Sequence, residues 1–345
     1  MAIRVGINGL GRIGRAFLRA AWADRAIEVV GVNDLGSIDN LAYLLQYDSV
    51  YRAFPAKVAV EGGGLVVGDP STSLGAGKRI HFTSEKDPAK LPWGSLNVDV
   101  VVESTGVFDS YEKAGAHLTA GAKRVVITAP VKDDAGGETV LVGVNEEKLA
   151  TCQISSNASC TTNAGSPLIA ILDEKLGIEK AQLSTVHAYT ATQTLVDGPV
   201  KGGDMRRGRA AAQNITPSST GAAVAVTKAY TGLQNKFDGI SLRVPVVAGS
   251  IVDITFVAKR ETSAEEVNSL LEAAAGEDRW QGIFATSREQ LVSSDIIGNP
   301  HAAVADLAMT RVVGGNLVKV LAWYDNEMGY AHTLVRHVKA AALAK

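Results

Sequence analysis

The stretch SNASCTTN places Cys160 among Ser159, Thr161, Thr162 and Asn163, a polar setting that packing alone does not explain. A helical pattern begins directly after this cysteine, so its sulfur is expected in the positive field of a helix N-terminus, which lowers a thiol pKa. A nucleophilic thiol also needs a base, and the strand-like segment QLSTVHAYT brings His187 back toward the same sheet edge. The other cysteine, Cys152 in ATCQISS, reads as a buried small hydrophobe. His81, His117, His301, His332 and His337 read as structural, and no cysteine and histidine share a zinc-ligand spacing, so no metal is implied.

A second constellation opens the chain. Gly9, Gly11 and Gly14 follow a short β-run and precede Ile13, Phe17, Leu18 and Ala21 at helical spacing. Asp34 closes the next β-run, IEVVGVND, about twenty residues after Gly14. Such glycines let a backbone approach a pyrophosphate, helix N–H groups bind it, and the carboxylate accepts from ribose hydroxyls. A carboxylate at that point repels a 2′-phosphate and no arginine follows it, which favours NAD over NADP. An activated cysteine beside a nicotinamide site suggests oxidation of an aldehyde through a hemithioacetal and a thioester. Thr190, Arg207, Thr220 with Gly221, and Arg243 lie in segments able to converge there as phosphate donors.

The chain that must position these groups has 345 residues, enough for two domains. It is 46% hydrophobic and 20% charged, with net charge −2 and pI about 6.3, so neither a nucleic-acid footprint nor an anionic-membrane field is present. Two cysteines make no disulfide framework, and the N-terminus reads as strand, turn and helix rather than as a leader. No apolar run approaches a membrane-spanning length. The expectation is a cytoplasmic protein. Strands are predicted at KVAVEGGGLVV (a hairpin), KRIHFTS, VDVVVEST, RVVITAP and TVLVGVN, with a helix over SYEKAGAHLTAGA. Beyond residue 160 a helix, TTNAGSPLIAILDEKLG, is followed by longer strands: KAQLSTVHAYT, KFDGISLRVPVV, SIVDITFVAK and GGNLVKVLAWYD. The pattern predicts an α/β fold, a Rossmann-type dinucleotide domain (1–159) followed by an α+β catalytic domain (160–326) with a mixed or antiparallel sheet. A final helix, 327–345, carries basic residues in its last turns, and the basic stretch DGPVKGGDMRRGRAAAQN reads as an exposed functional loop.

Taken together, INGLGRIG, SNASCTTN, TVHAYTATQTLVDGP, RRGRAAAQN, STGAA, LRVP and WYDNEMGY resemble, in order and over essentially the whole chain, the phosphorylating glyceraldehyde-3-phosphate dehydrogenases. The resemblance implies that Cys160 forms the thioester and that His187 activates it and serves as acid and base. It implies that Ser159, Thr161, Thr220 and Gly221 hold the attacking inorganic phosphate, and that Thr190 and Arg243 hold the substrate phosphate with help from Arg207. It assigns cofactor contacts to Arg12, Ile13, Asp34, Thr128 and Asn326, with Tyr330, Lys86 and the ESTG run (Glu103, Ser104, Thr105, Gly106) alongside. It also implies a homotetramer whose loop around 193–213 approaches a neighbouring subunit's cofactor, and a final helix packed on the nucleotide domain. Ala164, Lys86 and Met328 stand where the family commonly has cysteine, arginine and tryptophan, PHAAVAD has alanines for frequent serines, and KDDAGGETV is slightly extended. None of these departures removes a catalytic group. The alternatives are a related erythrose-4-phosphate dehydrogenase that hydrolyses its thioester, and a non-catalytic scaffold on the same fold.

Overall fold

The computed structural model describes residues 2–68, 77–200 and 203–344. Lys201 and Gly202 of the basic loop lie outside the described residues. Contacts divide the chain into two units, one of residues 1–140, 146–157 and 334–345, the other of residues 141–145 and 158–333.

The first unit begins with β1 (Ile3–Asn8), α1 (Arg12–Ala21), β2 (Ile27–Asn33) and α2 (Ile38–Gln46). A two-residue pair, β3 (Tyr47–Asp48) and β4 (Arg52–Ala53), precedes the expected hairpin of β5 (Val58–Glu61) and β6 (Gly64–Val67). Then come β7 (Lys78–Thr83), β8 (Val100–Glu103), α3 (Tyr111–Ala114), α4 (Ala116–Thr119), β9 (Arg124–Ile127), β10 (Glu138–Thr139) and β11 (Ile154–Ser156). The sheet order is β10-β11-β9-β8-β1-β2-β7-β6-β5, parallel from β10 to β7. From β1 the chain winds outward through β2 and β7, then returns to lay β8 on the other flank of β1. That reversal is a topological switch point, where a parallel sheet opens a crevice beyond its strand ends. Val5, Ile7, Val100, Val101 and Val102 are fully buried, as strands covered on both faces require.

Two sequence expectations fail here. TVLVGVN is strand only at its first residue, Thr139, because Gly143 takes a φ of +80° and the Asn145 side chain accepts from the Leu141 N–H, closing a turn. The helix over SYEKAGAHLTAGA is interrupted at Gly115 into α3 and α4.

The second unit contains α5 (Cys160–Leu176), β12 (Ile178–Ala188), β13 (Thr216–Ser219), α6 (Ala222–Ala229), β14 (Phe237–Val244), β15 (Ser250–Ala258), α7 (Ala264–Ala275), β16 (Phe284–Ser287), β17 (Ala303–Asp306), β18 (Arg311–Val313) and β19 (Leu317–Tyr324). Its mixed sheet runs β13-β14-β12-β15-β19-β17-β16, with β18 on β19. Leu168, Ile169 and Leu172 of α5 pack with Val252, Ile254 and Phe256 of β15 in one core. Pro167 sits inside α5 and cannot donate to Asn163, whose carbonyl instead accepts from the Ser166 hydroxyl at 3.5 Å.

The last helix, α8 (Met328–Leu343), belongs to the first unit from Leu334 onward. There His337 lies fully buried between Ser155 (Oγ to Nε2, 2.7 Å) and Asn157 (Oδ1 to Nδ1, 3.0 Å). Because the Asn157 oxygen can only accept, Nδ1 carries the proton and Nε2 accepts from Ser155. Burial holds this imidazole down to about 3. The expected basic residues lie in its later turns as Arg336, His337 and Lys339, and Lys339 pairs with Asp24 at 2.9 Å.

Candidate active site

In the first unit, a cleft of about 480 Å³ opens beyond β1, β2 and β8, lined among others by Gly9, Gly11, Asp34, Lys86, Ser104 and Thr105. Gly9 has a φ of +95°, and a Cβ there would lie 2.8 Å from the Ser104 carbonyl carbon. At Gly14 a Cβ would lie 2.1 Å from the Gly9 carbonyl oxygen, so only glycine lets α1 start this close to β1. Gly11, the N-cap of α1, faces open space within 4 Å, a cradle for a group meeting the helix N-terminus. The Asp34 carboxylate is held by the Leu10 N–H (2.7 Å) and the Gly36 N–H (2.8 Å). The Ser104 hydroxyl donates to the Gly9 carbonyl at 2.7 Å, tying the β8 loop to the glycine turn. These residues fit a dinucleotide: donors and open backbone for the pyrophosphate, and an oriented carboxylate for the ribose.

Other expected cofactor residues are placed differently. The Arg12 guanidinium pairs with Asp48 at 2.5 Å and lies 5.8 Å from the Tyr51 ring centre. Ile13 and Thr128 are half-buried outside the cleft wall, Thr128 through its N–H on the Glu103 carbonyl at 3.0 Å. Gly106, with φ +72°, turns the chain between Thr105 and Val107, both of which line the cleft.

In the second unit, Ser159 caps α5, its hydroxyl accepting from the Thr162 N–H at 3.1 Å, so Cys160 occupies the first helical position. The preceding residue, Ala158, has a φ of +53°, a region costly for any residue with a Cβ, and its carbonyl accepts from the Tyr330 hydroxyl at 3.0 Å. The expected cofactor residue Tyr330 thus braces the turn that presents the cysteine. Register on the sheet pairs His187 with Arg243. The Cys160 Sγ lies 3.3 Å from His187 Nε2. His187 Nδ1 is 2.7 Å from the Ala188 carbonyl, to which the Arg243 guanidinium also donates at 3.2 Å. The Arg243 guanidinium, a donor only, also lies 2.8 Å from Nδ1: with its proton on Nδ1, bonded to the Ala188 carbonyl, the ring turns its Nε2 lone pair to the thiol, and with Nδ1 accepting from Arg243 it turns Nε2–H there instead.

Electrostatics departs from the sequence expectation. Burial pushes the Cys160 thiol above its ordinary value, outweighing the Arg243 charge and the hydrogen bonds at the helix N-terminus that favour the thiolate. Burial, reinforced by Arg243, holds His187 down to about 3. Desolvation disfavours both charged forms, so the resting pair is thiol and neutral imidazole.

Of the expected phosphate donors, Thr190 shares a hydrogen bond with Thr192 (3.0 Å), and Arg207 donates to Thr192 (3.2 Å) and Ser218 (2.8 Å). Thr220 and Gly221 stand at the start of α6, the Thr220 hydroxyl accepting from the Ala222 N–H at 3.2 Å. Thr161 is buried, its hydroxyl 2.9 Å from that of Tyr324, which is 2.8 Å from that of Thr185. Asn326 is fixed by Ser250, which donates to its Oδ1 at 3.0 Å and accepts from the Ala188 N–H at 3.1 Å. Sequence reasoning missed Tyr324 and Ser250. The Tyr324 ring meets His187 edge-on at 5.9 Å, and only its place at the end of a strand on the same sheet hinted at this. Cys152 is half-buried rather than enclosed, its thiol 3.5 Å from the Lys148 carbonyl. No group of three or more metal-ligating side chains occurs among the described residues, and no helix there is long and apolar enough to cross a membrane.

A parallel sheet with a dinucleotide-fitting cleft in one unit, together with a unit that pairs a cysteine with a histidine, is the build of a nicotinamide-dependent oxidoreductase. Residues 3–111 match the NAD binding domain of glyceraldehyde 3-phosphate dehydrogenase, and residues 159–326 match its C-terminal domain. The chain is 47% identical over 337 residues to glyceraldehyde-3-phosphate dehydrogenase 1 of Bacillus subtilis, covering 97% of each. It is 46% identical over 337 residues to the Geobacillus stearothermophilus enzyme, with 97% of each covered. Against the Zymomonas mobilis enzyme it is 45% identical over 348 residues, covering 100% of this chain and 99% of that one. The chain belongs to the glyceraldehyde-3-phosphate dehydrogenase family, and NAD is its cofactor.

Proposed function

We propose that this chain oxidises glyceraldehyde 3-phosphate with inorganic phosphate to 1,3-bisphosphoglycerate, and that Cys160 and His187 carry the reaction. The observation that supports this most directly is the 3.3 Å approach of the Cys160 sulfur to His187 Nε2. As the sulfur bonds to the aldehyde carbon, His187 Nε2 takes the thiol proton and passes it to the carbonyl oxygen, which becomes the hydroxyl of a hemithioacetal. When bound, NAD supplies the hydride acceptor that turns the hemithioacetal into a thioester. His187 takes the hydroxyl proton as this happens. A phosphate oxygen then attacks the thioester carbon, and the Cys160 sulfur leaves and takes back the proton held by His187, restoring the thiol and the neutral imidazole.

In this reading Thr190, Arg207 and Arg243 hold the substrate phosphate, and Ser159, Thr161, Thr220 and Gly221 receive the attacking one. Gly9, Gly11, Gly14, Asp34, Ser104 and Thr105 hold the cofactor, with Asn326 orienting its carboxamide. A homotetramer is part of the proposal: Leu195, Val196 and Ile215, in and just beyond the arginine-bearing loop, are each about 70% exposed and suit a subunit contact. Both cysteines are free thiols, which suits the reducing cytoplasm.

The test is the absorbance of reduced cofactor formed from glyceraldehyde 3-phosphate, with and without phosphate, repeated with NADP and with erythrose 4-phosphate. Phosphate-dependent turnover with NAD is expected. Turnover indifferent to phosphate would assign the hydrolytic erythrose-4-phosphate reaction instead, and NAD binding without any turnover would assign a scaffold.

A further inference from the structure

A carboxylate unused by this reaction lies behind the dinucleotide cleft. Glu103, at the end of β8, is 2% exposed. Its Oε1 accepts from the Thr105 N–H at 2.8 Å and the Thr105 hydroxyl at 2.5 Å. Its Oε2 accepts from the Asn8 amide at 2.6 Å and from His117 Nε2 at 2.9 Å. The direction of the last bond is set by Trp93. Its indole N–H, a donor only, lies 3.0 Å from His117 Nδ1, so Nδ1 accepts and the proton sits on Nε2. The Asn8 amide is oriented likewise, because its Oδ1 accepts from Asn33 at 2.8 Å. Glu103 thus meets four donors, none from lysine or arginine, and among the described residues its only ion-pair partner is His117, whose second nitrogen is committed as an acceptor. Burying a carboxylate without a cation is costly, and four converging donors, more than the single oxygen of a neutral amide accepts, offset that cost.

Asn8 and Thr105 both bond to Glu103 and line the cleft. Asp34, suited to the ribose, follows β2 on the opposite flank of β1, so a dinucleotide laid across the switch point directs its redox half toward β8. We propose that Glu103 is a positioning residue whose fixed negative charge makes the cleft prefer the oxidised, cationic nicotinamide over the reduced, neutral ring. The inference rests on the NAD reading above. A carboxylate shielded from water acts over several ångströms and is little screened by salt.

Dissociation constants of NAD and of reduced NAD, measured calorimetrically on the unaltered protein and on Glu103→Gln, test this. The substitution is expected to weaken NAD about five- to tenfold while changing reduced NAD by less than about twofold, the difference persisting at high salt. Glu103→Asp, which keeps the charge but shortens the side chain, and Trp93→Phe, which keeps it and frees His117, should preserve the ratio of the two constants. Equal weakening of both forms by Glu103→Gln, or a collapsed ratio in Trp93→Phe, would reduce Glu103 to a structural anchor and overturn the proposal. Should Glu103→Gln fail to fold, tighter binding of reduced NAD than of NAD by the unaltered protein would overturn it equally. Binding of neither form would overturn the NAD reading and this inference with it.

Discussion

His337 offers a quantitative test of how burial shapes this protein. Its ordinary pKa of 6.5 falls to about 3 in the folded chain, through desolvation. Below pH 6.5 an unfolded chain takes up a proton here that the folded chain refuses until about pH 3, so acid favours unfolding. The stability from keeping this ring neutral is complete above 6.5 and drains away as the pH falls toward 3. One proton is worth about 1.4 kcal/mol per pH unit, so near pH 5 the loss is about 2 kcal/mol. His337→Gln keeps one donor and one acceptor for Asn157 and Ser155 but does not titrate. It should lower stability at neutral pH by about 1–3 kcal/mol and flatten the pH dependence by about one proton. Urea unfolding of the cofactor-free protein, followed by circular dichroism at several values between about pH 7 and pH 5, reads both quantities. A variant whose stability falls with acid as steeply as the parent's would refute the reasoning.

Three further outcomes are expected. Gly14→Ala drives a Cβ to 2.1 Å from the Gly9 carbonyl, so NAD affinity should fall about tenfold or more while Cys160 keeps its reactivity; unchanged affinity by calorimetry would contradict the cleft assignment. Arg243→Gln removes a cation that favours the Cys160 thiolate, so the thiol rises further and alkylation by iodoacetamide at about pH 8 should slow roughly tenfold, whereas faster alkylation would reverse the sign assigned to Arg243. His187→Asn should cost about a hundred- to ten-thousandfold in turnover and leave NAD binding intact, and full activity would remove His187 from the acid–base role.

The opening strand–glycine–helix–strand unit was legible because its signals are local: period, turn residues and a terminal carboxylate within some thirty residues. The cap of α5 was legible for the same reason. Strands of three or four residues, such as β16 and β18, are too short to show a period, and α7 was passed over despite Ser263 and Glu266 forming the start of a cap. Arg12 was expected at the cofactor only through the family resemblance; its partner Asp48 lies on a two-residue strand that no local pattern announces. The thiol's upward shift was equally hidden. A helix N-terminus can be read from sequence, but the desolvation opposing it depends on residues gathered from β12, β14 and β19. Trp93, Glu103 and His117 are likewise unremarkable in sequence and meet only in the folded sheet.

The three-part composition of the first unit bears on how the chain is made. A ribosome releases β1 through β11 first, with residues 141–145 of the second unit among them, then residues 158–333, and only afterward the segment from Leu334 onward. Until then Ser155 and Asn157 lack His337, Asp24 lacks Lys339, and Arg124 lacks the Ala344 carbonyl that it reaches at 2.7 Å. The nucleotide-binding unit is thus finished last although it is begun first, and a product cut short before Leu334 would leave translation with the second sheet complete and an open seam in the nucleotide-binding unit, a natural mark for proteolytic surveillance.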